Sequence, residues 1–190
     1  MIAGDVVKAV TESFIRTLWS AATGTGEMYA VLDAARDLRI YRLLVESPLG
    51  SRCLYEGPLP RVLAETAPYL VRLKPRNVFT EKLVDEGFGK SWGIFLSSPA
   101  PELELRRHLR TFLLVADDRG QSLYFRYYDP RVLRVYLPTC NELELDAVFG
   151  PVERFWCESG GGRSVVEYGR RGPALVESPL ALNSPGEMRW

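Results

Sequence analysis

Apolar positions along the chain switch repeatedly between a helical and a strand-like spacing. Val7, Val10, Phe14 and Leu18 recur at three and four residues, with Glu12 and Arg16 on other faces, which predicts an amphipathic helix over residues 5–20. Thr23-Gly24-Thr25-Gly26 ends it. Met28–Asp33 is a short apolar run, read as a buried strand, and residues 36–44 form a short helix. Pro48-Leu49-Gly50 breaks the pattern; a brief strand at 52–55, a helical turn at 60–66 and a strand at 69–73 follow. Residues 80–86 read as a helix with Thr80 as N-cap and Gly87 as stop, 92–97 as a strand, and 102–110 as a helix with Leu105 and Leu109 inward.

Phe112–Ala116 and Leu123–Tyr128 flank the turn residues Asp118-Arg119-Gly120, a hairpin signature. Tyr124, Phe125, Tyr127 and Tyr128 put rings on both faces of the second strand, so both faces should be covered, as in the middle of a sheet. Arg126 lies among them and needs a carboxylate partner if buried, with Asp129 one candidate. Asp129-Pro130-Arg131 has the chemistry of a helix start, with Asp129 capping and Pro130 at the first position. Pro138 stops that helix, and Asn141-Glu142-Leu143-Glu144 opens another with a capping box. Residues 152–157 and 164–168 flank Gly160-Gly161-Gly162 as a terminal hairpin; from Gly169 the apolar pattern fades and an irregular tail is expected. The expected class is α/β: a mixed β-sheet flanked by helices, with a C-terminal hairpin and irregular tail. Its divisions are an N-terminal helix and linker (1–27), a central α/β domain (28–157) and the hairpin strand and tail (158–190).

Twenty-four basic residues balance 24 acidic ones in 190, so the chain lacks the basic excess of a general nucleic-acid binder. The basic residues are 20 Arg and 4 Lys, a bias that suits interface ion pairs and also follows from genome composition alone. No apolar run reaches the roughly 18 residues of a membrane span. Asp5, Lys8 and Glu12 stand where a signal peptide would carry its apolar stretch, so the expected location is the cytoplasm.

Candidate chemistry is sparse. Cys53, Cys140 and Cys157 are widely spaced and odd in number, which points to buried thiols and away from a disulfide framework or zinc site. The one histidine, His108, sits on a basic helix face and reads as a solvated side chain. Gly89-Lys90-Ser91 resembles the end of a phosphate-binding loop, but a helix precedes it and a strand follows, the reverse of the required order. Thr23-Gly24-Thr25-Gly26 lies before the first strand, where a dinucleotide fingerprint does not belong. Asp117-Asp118 and Glu142/Glu144 fit a turn and a helix first turn without any catalytic role. No cofactor, metal site or catalytic residue is expected.

Phe125-Arg126-Tyr127-Tyr128-Asp129-Pro130-Arg131-Val132-Leu133, followed by Tyr136-Leu137-Pro138-Thr139, closely resembles the hallmark of the domain of unknown function 4123 family. Tyr29–Ala35, Ala67–Leu73, Gly89–Phe95, Leu105–Arg110 and Phe149–Val152 agree with further blocks in the same order, so the likeness covers about residues 28–157. Ala34 stands where that family often has glycine. The resemblance implies a cytoplasmic adaptor, or chaperone, of the bacterial type VI secretion system. Such proteins bind a secreted toxic effector and help load it onto the VgrG spike; they are not enzymes. Phe125, Arg126, Tyr128, Asp129, Pro130 and Arg131 are then the motif that specifies the fold. Partner choice is expected in the N-terminal helix and in residues 152–190, with Phe155, Trp156, Tyr168 and Trp190 as candidate contacts. Two rivals remain: a small hydrolase or transferase using Cys140 or Cys157 with His108, which requires a thiol of depressed pKa, and an immunity protein that neutralises a toxin.

Overall fold

The strand Glu27–Asp33 (β1) forms the centre of the architecture, with β3 (Pro68–Arg72) on one side and β4 (Gly93–Ser98) on the other. The computed structural model describes residues 3–21, 26–116 and 119–182. Its remaining strands are β2 (Arg52–Cys53), β5 (Leu114–Ala116), β6 (Ser122–Tyr124), β7 (Arg154–Ser159), β8 (Ser164–Arg171) and β9 (Ala174–Ala181). The helices are α1 (Ala3–Ala21), α2 (Leu38–Glu46), α3 (Arg61–Ala64), α4 (Val78–Gly87), α5 (Glu102–Arg110), α6 (Pro130–Tyr136) and α7 (Glu142–Phe149). A 3-10 turn over Leu137–Thr139 links α6 to α7. Seven strands pair in the order β2-β3-β1-β4-β7-β8-β9, and β5 and β6 form a separate ribbon.

The α/β class, the flanking helices and the C-terminal hairpin are as expected. Every ladder described is antiparallel, including those on both sides of β1. Helices separate β1, β3 and β4 in sequence, which makes the order look like a parallel arrangement, but each crossover reverses direction. The period of two along β1 sends Met28, Ala30 and Leu32 into one apolar cluster and Tyr29 and Val31 into the other. Phe14 and Leu18 of α1, Ile40, Leu43 and Leu44 of α2, and Leu83 and Val84 of α4 cover the first face. Leu105 and Leu109 of α5, Leu133 of α6 and Leu145, Val148 and Phe149 of α7 cover the second. Close approach at the sheet centre requires glycine at 93, since a Cβ there would meet the Val31 carbonyl oxygen at 2.1 Å.

Several local readings change. The N-cap of α4 is Asn77, whose side chain accepts from Phe79 N (3.0 Å) and Thr80 N (3.3 Å). The helix therefore starts two residues earlier, and Thr80 lies inside it. The aromatic segment 125–128 is not a central strand; β6 stops at Tyr124, and the chain turns through Arg126–Asp129 into α6. Residues 174–181 are the strand β9, not an irregular tail, because an eight-residue ladder with β8 ties them to the sheet. Strand β7 runs across the expected 157/158 division and pairs with β4, so the terminal meander extends the main sheet. Helix α1 is equally integral: the Phe14 ring lies 4.7 Å from that of Phe88 and 4.9 Å from that of Phe95. Each fully buried side chain of that size contributes about 1.5–3 kcal/mol. The glycine-rich linker at 22–25 falls outside the described residues.

Candidate functional site

At the C-terminal end of β1, the Asp33 side chain is 1% exposed and accepts from Ala35 N (3.1 Å). Arg126 reaches it from the turn before α6 and forms an ion pair with Oδ2. The carboxylate partner of Arg126 is thus Asp33, and not Asp129. Asp129 caps α6 by accepting from Arg131 N (2.9 Å), and the same carboxylate takes Arg131 Nε (2.9 Å) and Nη2 (2.5 Å). Burial pushes the Asp129 carboxyl up, but the Arg131 hydrogen bonds outweigh it, and the group titrates below the usual aspartate range. Pro130, at the first helical position, fixes where that pair forms. Tyr127 hydroxyl donates to Leu109 O (2.8 Å), which ties the turn to α5, and the Phe125 ring meets that of Tyr136 at 4.8 Å. Tyr128 is 4% exposed within the second apolar cluster.

The loop at Gly87–Ser91 does hold an anion, but an internal one. Gly89 N and Ser91 N each donate to the Glu158 carboxylate at 2.7 Å, and Ser91 Oγ lies 3.2 Å from it. Gly89 (φ 82°) and Ser91 (φ 56°) take left-handed conformations that turn successive N–H groups inward, a nest for negative charge. Glu158 is 7% exposed, and burial raises its carboxyl above the ordinary glutamate range against the pull of those donors. Among the described residues no three His, Cys, Asp or Glu side chains are grouped to hold a metal ion.

A second region is apolar and open. In the β5–β6 ribbon, Leu114, Val115, Leu123 and Tyr124 are 53, 40, 48 and 70% exposed. Beside it runs a groove of about 520 Å³, lined by Leu54, Tyr55, Leu59, Leu63, Leu114 and Tyr124 among others. Two arginines one turn apart on α5 hold its floor. Arg106 donates to Cys53 O (2.7 Å) and Tyr55 O (3.1 Å), and Arg110 to Leu54 O (2.9 Å). Exposed apolar residues that are contiguous, and not scattered, mark interaction sites.

A profile of the domain of unknown function DUF4123 matches residues 28–147. The chain belongs to the DUF4123 family. Comparison with curated proteins gives no match, and neither does comparison with solved structures. The DUF4123 segment contains the Asp33–Arg126 and Asp129–Arg131 pairs, the open ribbon and the groove, but neither α1 nor β7–β9.

Of the candidate partner contacts, Phe155, Trp156 and Tyr168 are 1, 0 and 1% exposed, so they are core residues. Trp156 stands opposite Phe95 across the β4–β7 ladder and donates from Nε1 to Glu167 Oε2 (2.9 Å). Trp190 lies outside the described residues. His108 is not a solvated side chain either. Its Nε2–H donates to Val148 O (3.0 Å), burial lowers its pKa, and its ring fills the space beside Gly150 that a Cβ would occupy at 2.3 Å. Burial raises the Cys140 and Cys157 thiols, the opposite of an activated nucleophile. The ribbon is the hairpin expected from the sequence, but its exposure was not legible, because its aromatic residues continue into 125–128 and imitate one buried strand. Glu158 and Asp33 gave only a weak signal, an acidic residue closing an apolar strand. No described helix is long and apolar enough to cross a membrane.

Proposed function

We propose that this DUF4123 protein is a non-enzymatic adaptor of the type VI secretion system, which binds a secreted effector in the cytoplasm and promotes its loading onto the VgrG spike. The observation that carries the reading is the exposed apolar ribbon and its groove, within a family whose resemblance implies effector adaptors. A surface of this kind suits a partner that must be held and then released, since permanent complexes use larger and more hydrophobic interfaces than transient ones. The ribbon shares no ladder with the main sheet and meets the rest of the fold through contacts such as Tyr55 against Tyr124, so a partner can engage it without breaking strand pairing in that sheet.

The test is a tagged pull-down from the native cell with the partners identified by mass. An effector and a spike protein should be recovered, and the effector should fall in abundance when the gene is deleted. Rescue of toxicity with no loss of secretion on deletion would favour the immunity-protein reading instead.

A further inference from the structure

The motif around Asp129 places negative charge inside and positive charge outside. Asp33, Asp129 and Glu158 are 1, 3 and 7% exposed. The side chains of Arg126 and Arg131 are 45 and 55% exposed, and Arg36 and Lys90 are exposed as well. These groups share one end of the sheet. Arg36 and Arg131 both act on Asp129, while Arg131 also feels Asp33 and Glu158. Arg36 Nη2 donates to Lys90 O at 3.4 Å. The neighbouring Asp37 is paired with Arg39 and also feels Lys90.

We propose that this end of the sheet is a receptor for an acidic segment of a partner polypeptide, with Arg36, Lys90, Arg126 and Arg131 receiving its carboxylates. The inference supplies the partner chemistry for the adaptor reading, and rests on that reading for the partner being a protein. A guanidinium carries three nitrogens and five N–H donors. Asp33 engages Nη2 of Arg126, and Asp129 engages Nε and Nη2 of Arg131, so each fork keeps donor capacity beyond its buried partner. A fork anchored from behind has already lost most of its rotamer freedom, which lowers the cost of binding a second carboxylate. The partner meets the cations first because the balancing carboxylates lie beneath them.

Phosphate-bearing partners fit less well. The nest that would cradle a phosphate is filled by Glu158 through Gly89, Ser91 N and Ser91 Oγ. With no net charge on the chain, a cluster confined to one sheet end offers no track for a nucleic-acid backbone.

The experiment uses the full chain and a fluorescein-labelled octaglutamate peptide at low salt. Arg36 and Lys90 form no ion pair among the described residues, and Arg36 acts on Asp129 without hydrogen-bonding it, so the double variant R36Q/K90Q should stay folded, which its melting curve checks. The double variant should bind the peptide at least tenfold more weakly, while R107Q/R171Q, exposed arginines elsewhere, should bind as wild type does. Arginine Nε–H resonances of Arg126 and Arg131 should move on adding the peptide. Equal binding by wild type and R36Q/K90Q, or tighter binding of a single-stranded DNA octamer than of octaglutamate, would overturn the proposal. Effector capture is read in parallel. Capture by R36Q/K90Q equal to wild type removes the acidic receptor and leaves the adaptor reading standing. Failure of the wild type to capture any effector or spike protein removes the adaptor reading, and the peptide measurement still decides the receptor.

Discussion

Asp33 and Arg126 are 93 residues apart in the chain and form one ion pair at the end of the central strand. Breaking it from the arginine side leaves a buried carboxylate with, among the described residues, only the Ala35 N–H as donor. R126M should therefore destabilise the fold by about 2 kcal/mol, less than a fully buried pair because Arg126 is half in water. D33N/R126M should cost less than the two single changes added together. Urea denaturation of the four proteins measures this; strict additivity would show that the pair carries no coupling.

Glu158 sets a pH dependence of known sign. Burial raises its carboxyl, so between the ordinary glutamate value and the raised one the folded state binds more protons than the unfolded state. Stability then falls as pH rises through that window. Wild type should lose stability relative to E158Q as the pH rises above the ordinary glutamate value. A pH-independent difference between the two would remove Glu158 as the titrating group.

The family segment should not fold alone. A fragment of residues 28–147 lacks Phe14, Leu18, Phe155, Trp156 and Tyr168, all 0 or 1% exposed in the intact chain. Losing a buried aromatic costs about 3–5 kcal/mol, and several such losses exceed the roughly 5–15 kcal/mol that holds a domain together. The fragment should bind a hydrophobic dye and melt without a cooperative transition; a sharp melt would contradict this.

The open ribbon should be separable from stability. L114E/Y124E changes two exposed side chains, so unfolding should shift by no more than about 0.5 kcal/mol per site. Effector capture should fall at least tenfold. Unchanged capture would place the apolar contact elsewhere.

Thiol labelling separates the cysteines. Cys157 is fully buried, so it should react only as fast as the protein unfolds. Cys140 is half-buried, donates from Sγ to Tyr136 O at 3.5 Å and should label slowly without a fast thiolate phase. A rapid phase at neutral pH, lost on changing His108, would revive the hydrolase reading.

Much of the fold was legible because local chemistry and tertiary structure agree. Asp129-Pro130, the Asn141 capping box and the β1 apolar run each form the element their residues predict. Reading failed where a short pattern had two solutions. Tyr124–Tyr128 fits a covered strand by composition, but Pro130 and the Asp129 cap pull the chain into a helix, so Tyr124 stays exposed while Phe125, Tyr127 and Tyr128 pack into the second apolar cluster. In β9, Ser178 and Pro179 look like loop residues, yet pairing with Glu167 and Val166 at the sheet edge accommodates both. The candidate site was less legible than the fold, because Asp33, Lys90, Arg126 and Glu158 meet only through the topology. Phe155, Trp156 and Tyr168 show the converse: rings that look suited to a partner are needed inside.

The strand order also sets a schedule for synthesis. The first 98 residues contain β1 and both of its neighbours, so the middle of the sheet can assemble while the ribosome is still at work. The flank of β4 then stays uncapped until residue 154 emerges, and β7, β8 and β9 add one after another. A polypeptide halted in that interval would expose a hydrogen-bonding edge and half-covered aromatic rings. Premature termination in this gene should therefore produce insoluble product, not a shorter working protein.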